Sequence, residues 1–167
     1  MSINKLFLIS TLFLSACGFS PVYGTYSDSA AKTETSNVLS QVRIAPLPDR
    51  EGQYLRNALI DRFYKNGYPA SPDYQLTVGK LNEKKTAFDI TVESEATRYQ
   101  LKISTSLDLI DLKNGENVLK RSLNAVSSYN VLESEFATRV SEQNAREAIL
   151  NDIARQVEQQ IALYLNR

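Results

Sequence analysis

The clearest pattern in the chain is an alternation of apolar and polar residues between positions 98 and 109. One parity is mostly apolar: Tyr99, Leu101, Ile103, Thr105, Leu107 and Leu109. The other parity is polar: Arg98, Gln100, Lys102, Ser104, Ser106 and Asp108. Because successive side chains of a strand point to opposite faces, this pattern predicts an antiparallel strand with one face on a core and one polar face.

Shorter alternations on either side predict further strands. Residues 41–47 form a short strand that two prolines bring to an end. Apolar residues alternate again from Tyr74 to Val78 and from Phe88 to Val92, which predicts either one long, bent strand or two collinear pieces. Asn114-Gly115 is a strong hairpin signal. The apolar residues that return after it on a partner strand are Leu119, Leu123 and Ala125.

Two segments have the period that is typical of a helix with one apolar face. The first follows Asp49, a residue type favoured as an N-cap, and Asn66-Gly67 ends it. Its apolar stripe is Leu55, Leu59 and Phe63. The second helix runs from about Thr138 to Leu165, with Glu142 and Arg146 assigned to its solvated side. Its apolar stripe is Ala145, Ile149, Ile153, Val157, Ile161 and Leu165.

These elements follow the order β-α-β-β-β-α. Each helix has one apolar face, and so does the sheet. All three apolar faces are buried when both helices pack on the same side of the sheet. The predicted fold class is therefore α+β, a two-layer sandwich with two helices packed on one face of a four-stranded, mostly antiparallel sheet. We place this single domain at residues 41–167.

The first sixteen residues have the pattern of an export signal. Lys5 precedes an apolar run of about nine residues, well short of the roughly 20 that cross a bilayer. Leu14-Ser15-Ala16-Cys17 resembles a bacterial lipobox. We therefore expect residues 1–16 to be a signal peptide that is removed, and Cys17 to carry the lipid. The alternative is a buried free thiol in an unprocessed chain.

Residues 17–40 are predicted to be the lipidated N-terminus and a flexible spacer. Thr25 to Ser40 is rich in Ser, Thr and Ala and has no amphipathic period. Two or more acyl chains on Cys17 would hold the protein firmly on a membrane. Gly18, not Asp, follows the cysteine, and by resemblance to enterobacterial sorting this favours the outer membrane, with the domain facing the periplasm.

Composition excludes several classes of function. The 19 basic and 19 acidic residues balance, unlike those of a nucleic-acid-binding protein with a basic face. The chain has no histidine and one cysteine, which excludes the usual zinc sites and histidine-based catalytic triads. Glu93 and Glu95 are the carboxylate pair of an enzymatic alternative, although such turn positions are typical of solvated charges. We predict a non-enzymatic protein without a metal or cofactor.

Several short motifs, read in order, resemble one family. They are Cys17-Gly18-Phe19-Ser20-Pro21-Val22-Tyr23-Gly24, Ala96-Thr97-Arg98-Tyr99-Gln100-Leu101, Ser128-Tyr129-Asn130, Phe136-Ala137-Thr138 and Asn144-Ala145-Arg146. Their order and spacing are similar to those of the LptE family of lipopolysaccharide-assembly lipoproteins, especially its alphaproteobacterial members. Phe136 stands where the family usually has Tyr, and Asn144 where it often has Asp.

The resemblance implies a lipid-anchored, non-enzymatic partner of LptD, the large outer-membrane β-barrel. Such a protein plugs the barrel, assists its assembly and binds lipopolysaccharide on its way to the cell surface. The sequence leaves one other binding function open. That alternative is an envelope-assembly accessory lipoprotein with a soluble periplasmic partner.

Four basic residues are candidates for contact with lipopolysaccharide phosphates: Arg98, Lys102, Lys84 and Lys85. Arg98 is preferred, because it lies in a motif that resembles the family's and because arginine binds phosphate bidentately. The alternative for each is a solvated charge on the outer face of the sheet.

Two further segments have both a binding and a structural interpretation. Phe19, Pro21 and Tyr23 either contact the partner or the lipid interface, or form a loosely ordered segment beside the membrane. Tyr129 and Asn130 end a strand, and either contact the partner or serve the turn that follows, through capping by Asn130.

Overall fold

One long strand is the centre of the fold. A computed structural model describes residues 38–65, 67–90 and 96–166, and the side chains of 88–90 and 96 lie outside that description. The elements are β1 (Val42–Ile44), α1 (Arg50–Phe63), β2 (Tyr74–Val78), β3 (Asn82–Ile90), β4 (Ala96–Asp111), β5 (Asn117–Asn130) and α2 (Glu135–Leu165). The predicted α+β class is confirmed.

Strand β4 is hydrogen-bonded along both of its edges. On one edge β5 pairs with it antiparallel, from Arg98↔Asn130 to Ile110↔Asn117. On the other edge β3 and β2 pair antiparallel with successive stretches of β4, and β1 continues the sheet in parallel beside β2. The sheet is thus mostly antiparallel, as predicted, but it has five strands rather than four.

The additional strand results from a break between β2 and β3, which lie end to end along β4. The Gly79 N–H donates to Ser106 O at 2.9 Å, and the Thr105 hydroxyl donates to Gly79 O at 2.9 Å. A Cβ at position 79 would lie 2.3 Å from Ser106 Oγ, so a larger residue here would require the Ser106 hydroxyl to turn away. Of the two predicted alternatives, the chain therefore adopts the collinear pieces.

Both helices pack on one face of the sheet, as the alternation in β4 predicts. Leu55, Leu59 and Phe63 of α1 are fully buried, together with the α2 stripe from Ala145 to Ile161. The buried sheet residues beneath them in β4 and β5 are Leu101, Ile103, Thr105, Leu107, Leu109, Leu119, Leu123, Ala125 and Tyr129. Leu39, which the sequence pattern assigned to the spacer, is 2% exposed and belongs to this core.

The helix ends agree with the sequence signals, apart from two corrections. Asp49 precedes α1 but makes no side-chain capping hydrogen bond, and its φ of 64° lies in a region that favours glycine. The Gln53 side-chain amide instead donates to Leu47 O, which links the first turn of α1 to the incoming chain. Helix α2 begins at Glu135, somewhat earlier than predicted. Gly67 has a φ of 103°, as the predicted stop after α1 requires.

Tyr64 covers the outer edge of β1. Its hydroxyl accepts from Ile44 N–H at 3.0 Å and donates to Val42 O at 2.9 Å. An edge strand otherwise offers unpaired backbone groups to other chains. Burial raises the pKa of Tyr64, which keeps the phenol protonated and able to donate. This edge is therefore closed by a side chain.

Leu101→Asp should unfold the domain, because it places a carboxylate in the apolar core. The expected loss in the free energy of unfolding is several kcal/mol, from an unpaired buried charge added to lost packing. Lys102→Asp is the matched control, since it puts the same carboxylate on an exposed neighbouring position and should change stability little. Thermal denaturation followed by circular dichroism measures both. Equal destabilisation by the two would contradict the assignment of faces.

Candidate binding site

The sheet face opposite the helices, here called the open face, carries small polar and basic side chains. Both described helices pack on the other face, so nothing in the described part of the chain forms a layer over this one. Lys120 lies 3.9 Å from Asp108 near one end. Lys84, Lys102 and Arg98 lie toward the other end. The open face is therefore most basic where β3 pairs with β4.

Lys84 and Lys102 are directly opposite each other in the β3–β4 pair. Side chains at such positions leave the same face with Cβ atoms about 5 Å apart, and like charges there destabilise a sheet. None of the ion pairs among the described residues includes either lysine. An anion bound between them would offset the repulsion.

Arg98 lies on the same face near the start of β4. It is exposed, and its register partners are Asp89 on β3 and Asn130 on β5. Four residues separate it from Lys102, which in a strand corresponds to about 13 Å. The structure thus brings three of the four basic candidates to one face, with Arg98 at the end of the sheet.

Lys85 is separated from that group because it faces the helices, opposite Leu101. Its Nζ lies 2.8 Å from Glu142 Oε2 and above the rings of Tyr99 and Tyr129, 4.5 and 5.2 Å from their centroids. The Tyr129 hydroxyl donates to the same Glu142 oxygen at 2.7 Å. The ammonium of Lys85 therefore already has an anionic partner within the domain.

Arg146 of α2 extends this group to the start of β3. Its guanidinium donates twice to Glu83, from Nε to Oε2 at 2.8 Å and from Nη2 to Oε1 at 2.9 Å, and Nη2 also lies 2.9 Å from Glu142 Oε1. We name the whole group the anchor cluster: Glu83, Lys85, Tyr99, Tyr129, Glu142 and Arg146. It joins β3, β4 and β5 to the first half of α2.

The contacts within the anchor cluster favour the charged forms of Glu142, Lys85 and Arg146. The hydrogen bond from Lys85 and then that from Tyr129 lower the pKa of Glu142 from 4.5 to about 2. The bond to Glu142 raises the pKa of Lys85, and the bonds to Glu83 raise that of Arg146. Burial raises the pKa of Tyr129. At neutral pH the cluster is a fixed ionic clamp rather than an acid–base site.

Sequence reasoning missed the clamp, although it quoted three of its members within separate motifs. Tyr99, Tyr129 and Arg146 meet here from positions far apart in the chain. Glu142 and Arg146 were assigned to the solvated side of α2, but the Arg146 side chain is only 15% exposed. Their spacing of four residues, next to the apolar stripe, was the one sequence signal for this pair.

Large apolar side chains are exposed at the start of α2 and in the turn before it. Phe136 is 77% exposed. The Thr138 hydroxyl accepts from Leu132 N–H and donates to Leu132 O, which folds the turn onto the helix. Val131 N–H donates to Thr97 O at 2.9 Å, beside Arg98. This apolar patch consists of Val131, Leu132, Phe136 and Val140.

The remaining candidate residues of the sequence analysis lie outside the described part of the chain. Among residues 38–65, 67–90 and 96–166, no group of three His, Cys, Asp or Glu is arranged to hold a metal ion. Within the same ranges, no helix combines the length and apolar character needed to cross a membrane. The residues that lie outside the description are Cys17, Phe19, Pro21, Tyr23, Glu93 and Glu95.

The same architecture occurs in solved structures of bacterial lipoproteins. A candidate lipoprotein from Caulobacter crescentus matches with a TM-score of 0.64 and 25% identity, over 80% of this chain and 96% of its own. A minor lipoprotein from Acinetobacter baumannii matches with a TM-score of 0.57 and 21% identity, over 73% of this chain and 91% of its own. Rare lipoprotein B from Shewanella oneidensis matches with a TM-score of 0.57 and 10% identity, over 73% of this chain and 92% of its own. No curated protein sequence matches the chain.

These observations define a two-layer α+β domain with a basic open face and an apolar patch at one end of its sheet. A family model described as LptE, lipopolysaccharide-assembly, matches residues 39–165. The chain therefore belongs to the LptE family, a family of lipopolysaccharide-assembly proteins and not of enzymes.

Glu142→Gln should destabilise the domain at neutral pH, because Lys85 and Arg146 lose their shared carboxylate. The pKa of Glu142 is lower in the folded chain than its ordinary 4.5, so its contribution is complete above about pH 4.5 and disappears as the pH falls to about 2. The difference in free energy of unfolding between wild type and variant should shrink over that interval. Urea denaturation at a series of pH values measures it.

Glu147→Gln on the same helix is the matched control. Glu147 accepts a hydrogen bond from Gln143 and is in none of the ion pairs among the described residues. A Glu142→Gln effect that is no larger than this control, or that stays constant down to acid pH, would show that the clamp contributes nothing through charge.

Proposed function

We propose that this protein is the lipid-anchored component of the outer-membrane lipopolysaccharide translocon. In this role it plugs the LptD β-barrel, assists barrel assembly and binds lipopolysaccharide on its way to the cell surface. The observation that carries the proposal is the LptE family match over residues 39–165. Removal of residues 1–16, a lipid on Cys17 and an outer-membrane location facing the periplasm are parts of the same proposal.

The two surfaces at one end of the domain support lipopolysaccharide binding. Lipopolysaccharide carries anionic phosphates beside acyl chains, so a protein that binds it benefits from cations next to apolar surface. Arg98, Lys84 and Lys102 supply the cations on the open face, and the apolar patch begins at the same end of the sheet, where Val131 N–H donates to Thr97 O. Arg98 is the proposed principal contact, because a guanidinium can bind one phosphate through two parallel hydrogen bonds.

The polar character of the open face supports the plug role. A barrel wide enough to pass lipopolysaccharide encloses a lumen that its own side chains do not fill, and the inner wall of such a barrel is polar. The open face of this domain consists largely of serine, asparagine and threonine between the lysines. A polar sheet face suits contact with a polar wall.

An envelope-assembly lipoprotein with a soluble periplasmic partner is the second candidate. The apolar patch also favours this function, because exposed apolar surface commonly marks a protein contact. A pull-down from solubilised membranes separates the two functions. Recovery of an outer-membrane barrel supports the first, and recovery of a soluble partner without the barrel supports the second.

Cys17→Ala should leave an unlipidated precursor that is not cleaved or not delivered, because the cysteine thiol is the proposed acyl acceptor. Mass spectrometry of the mature N-terminus is the measurement. Wild-type protein should begin at a modified Cys17 and lack residues 1–16. An unmodified cysteine in wild type, or normal processing of the variant, would refute the lipid anchor.

Depletion of the protein should lower the amount of correctly assembled barrel and make the outer membrane permeable to large antibiotics. Complementation with Arg98→Glu should restore barrel assembly but weaken lipopolysaccharide binding by about tenfold, since it removes a charge-assisted contact and adds repulsion. Arg50→Glu, an exposed arginine on the helix side, is the matched control and should behave as wild type.

Barrel level, antibiotic sensitivity and lipopolysaccharide binding by the purified protein are scored separately. Normal barrel assembly after complete depletion would refute the plug role. Unchanged lipopolysaccharide binding by Arg98→Glu would refute only the role of Arg98. Equal loss of binding in the Arg50→Glu control would indicate a general effect of charge.

A further inference from the structure

Strand β5 is paired on one edge only within the described residues. Its register with β4 pairs Arg98 with Asn130, so Thr97 and Val131 are the next pair. Val131 N–H donates to Thr97 O at 2.9 Å, which makes this a hydrogen-bonded pair. Hydrogen-bonded and non-hydrogen-bonded positions alternate in an antiparallel pair. The odd-numbered residues of β5 therefore bond to β4, and the even-numbered residues direct their N–H and C=O groups away from the sheet.

Only part of this outer edge is occupied by side chains. Arg121 Nη1 donates to Lys120 O at 2.9 Å, and Gln156 Nε2 from α2 donates to Asn124 O at 3.1 Å. No hydrogen bond among the described residues engages the outward backbone groups of Ser122, Val126 or Ser128. Ser122 and Ser128 have small polar side chains, and all three residues are exposed.

The other edges of the sheet are protected in ways that this one is not. Tyr64 occupies the edge of β1. Strand β3 carries consecutive lysines and register shifts, both of which discourage pairing with another chain. On β5 the charges stop at Arg121, and residues 122–130 contain neither a charge nor a proline. Apart from the Asn124 carbonyl, which accepts from Gln156, the outward backbone groups of this stretch remain suited to strand pairing.

We propose that the outer edge of β5 from Ser122 to Asn130 accepts an extended segment of a partner polypeptide as an added antiparallel strand. Such strand addition gains affinity from backbone hydrogen bonds. Lys120 and Arg121 are exposed at the beginning of β5, so the C-terminal end of the added segment should carry a carboxylate side chain. This inference does not depend on LptD or on lipopolysaccharide.

The partner is a strand without a helix above it, and not a second copy of this chain. Helix α2 packs mainly on β5, and Gln156 reaches its outermost backbone. Pairing two β5 edges would set the two strands about 5 Å apart and bring both copies of α2 together on the same face of the joined sheet, whereas packed helices need 8–10 Å between their axes. The helix therefore prevents self-pairing and leaves the edge open to a bare segment.

Amide hydrogen exchange followed by NMR tests the proposal on the folded protein. The probe is a synthetic nine-residue peptide of alternating Thr and Val with one Glu at its C-terminal end and both ends blocked. It should slow exchange at Ser122, Val126 and Ser128 by about tenfold or more. Exchange at Leu123 and Ser127, already bonded to β4, should change little. Unchanged exchange at the even-numbered positions would overturn the proposal.

Two controls separate strand addition from other contacts. A peptide N-methylated on the amides that face β5 should give no protection, whereas methylation of the opposite set should leave protection intact. Val126→Pro removes an outward N–H and no bond to β4, so it should abolish protection, and Val126→Thr should retain it. Protection by both methylated peptides would overturn the proposal even if the proline variant fails to fold.

Self-association is the remaining outcome. Protection of the even-numbered amides that rises with protein concentration in the absence of peptide, together with a dimer in sedimentation, would overturn the assignment to a bare strand. A monomer at all concentrations, with protection only in the presence of the peptide, is the expected result.

Discussion

Strand β4 makes backbone hydrogen bonds along both edges while its odd-numbered side chains, from Leu101 to Leu109, lie in the core. These two relations fix the rest of the domain. A shift of one residue in register would turn every buried side chain of a strand to the opposite face, so burial and pairing specify a single arrangement. The helices then have one face of the sheet to cover, and the basic face is left open as a consequence.

Apolar burial alone does not account for the position of the first part of α2. No residue of this helix before Ala145 is buried. The anchor cluster acts there instead, with two parallel bonds from Arg146 to Glu83 and one carboxylate of Glu142 shared by three partners. Single surface ion pairs contribute little, but a bidentate network with partly buried members contributes more. It holds the apolar patch beside the end of β4 that carries Arg98.

The surfaces of the domain differ in whether their charges and backbone hydrogen-bonding groups have partners. Lys84 opposite Lys102 costs stability without an anion, and the outer edge of β5 has backbone groups with no partner among the described residues. The edge of β1, in contrast, is closed by Tyr64. A domain selected for stability alone would protect both edges and separate the lysines. Their arrangement fits a protein of the LptE family that works through contacts with other molecules.

The sequence by itself determined the two helices, the hairpin and the buried face of β4, because these follow from local periods and from glycine at turns such as Asn114-Gly115. It could not place Lys85 against Glu142, nor Arg146 against Glu83, which is 63 positions away. Those contacts depend on the register of β3 on β4 and on which strand lies beneath α2. The break at Gly79 likewise follows from Thr105 and Ser106 of β4, which are distant in the chain. Tertiary structure decided these contacts, because the side chains on one face of a strand or helix acquire partners only when the helices pack on the sheet.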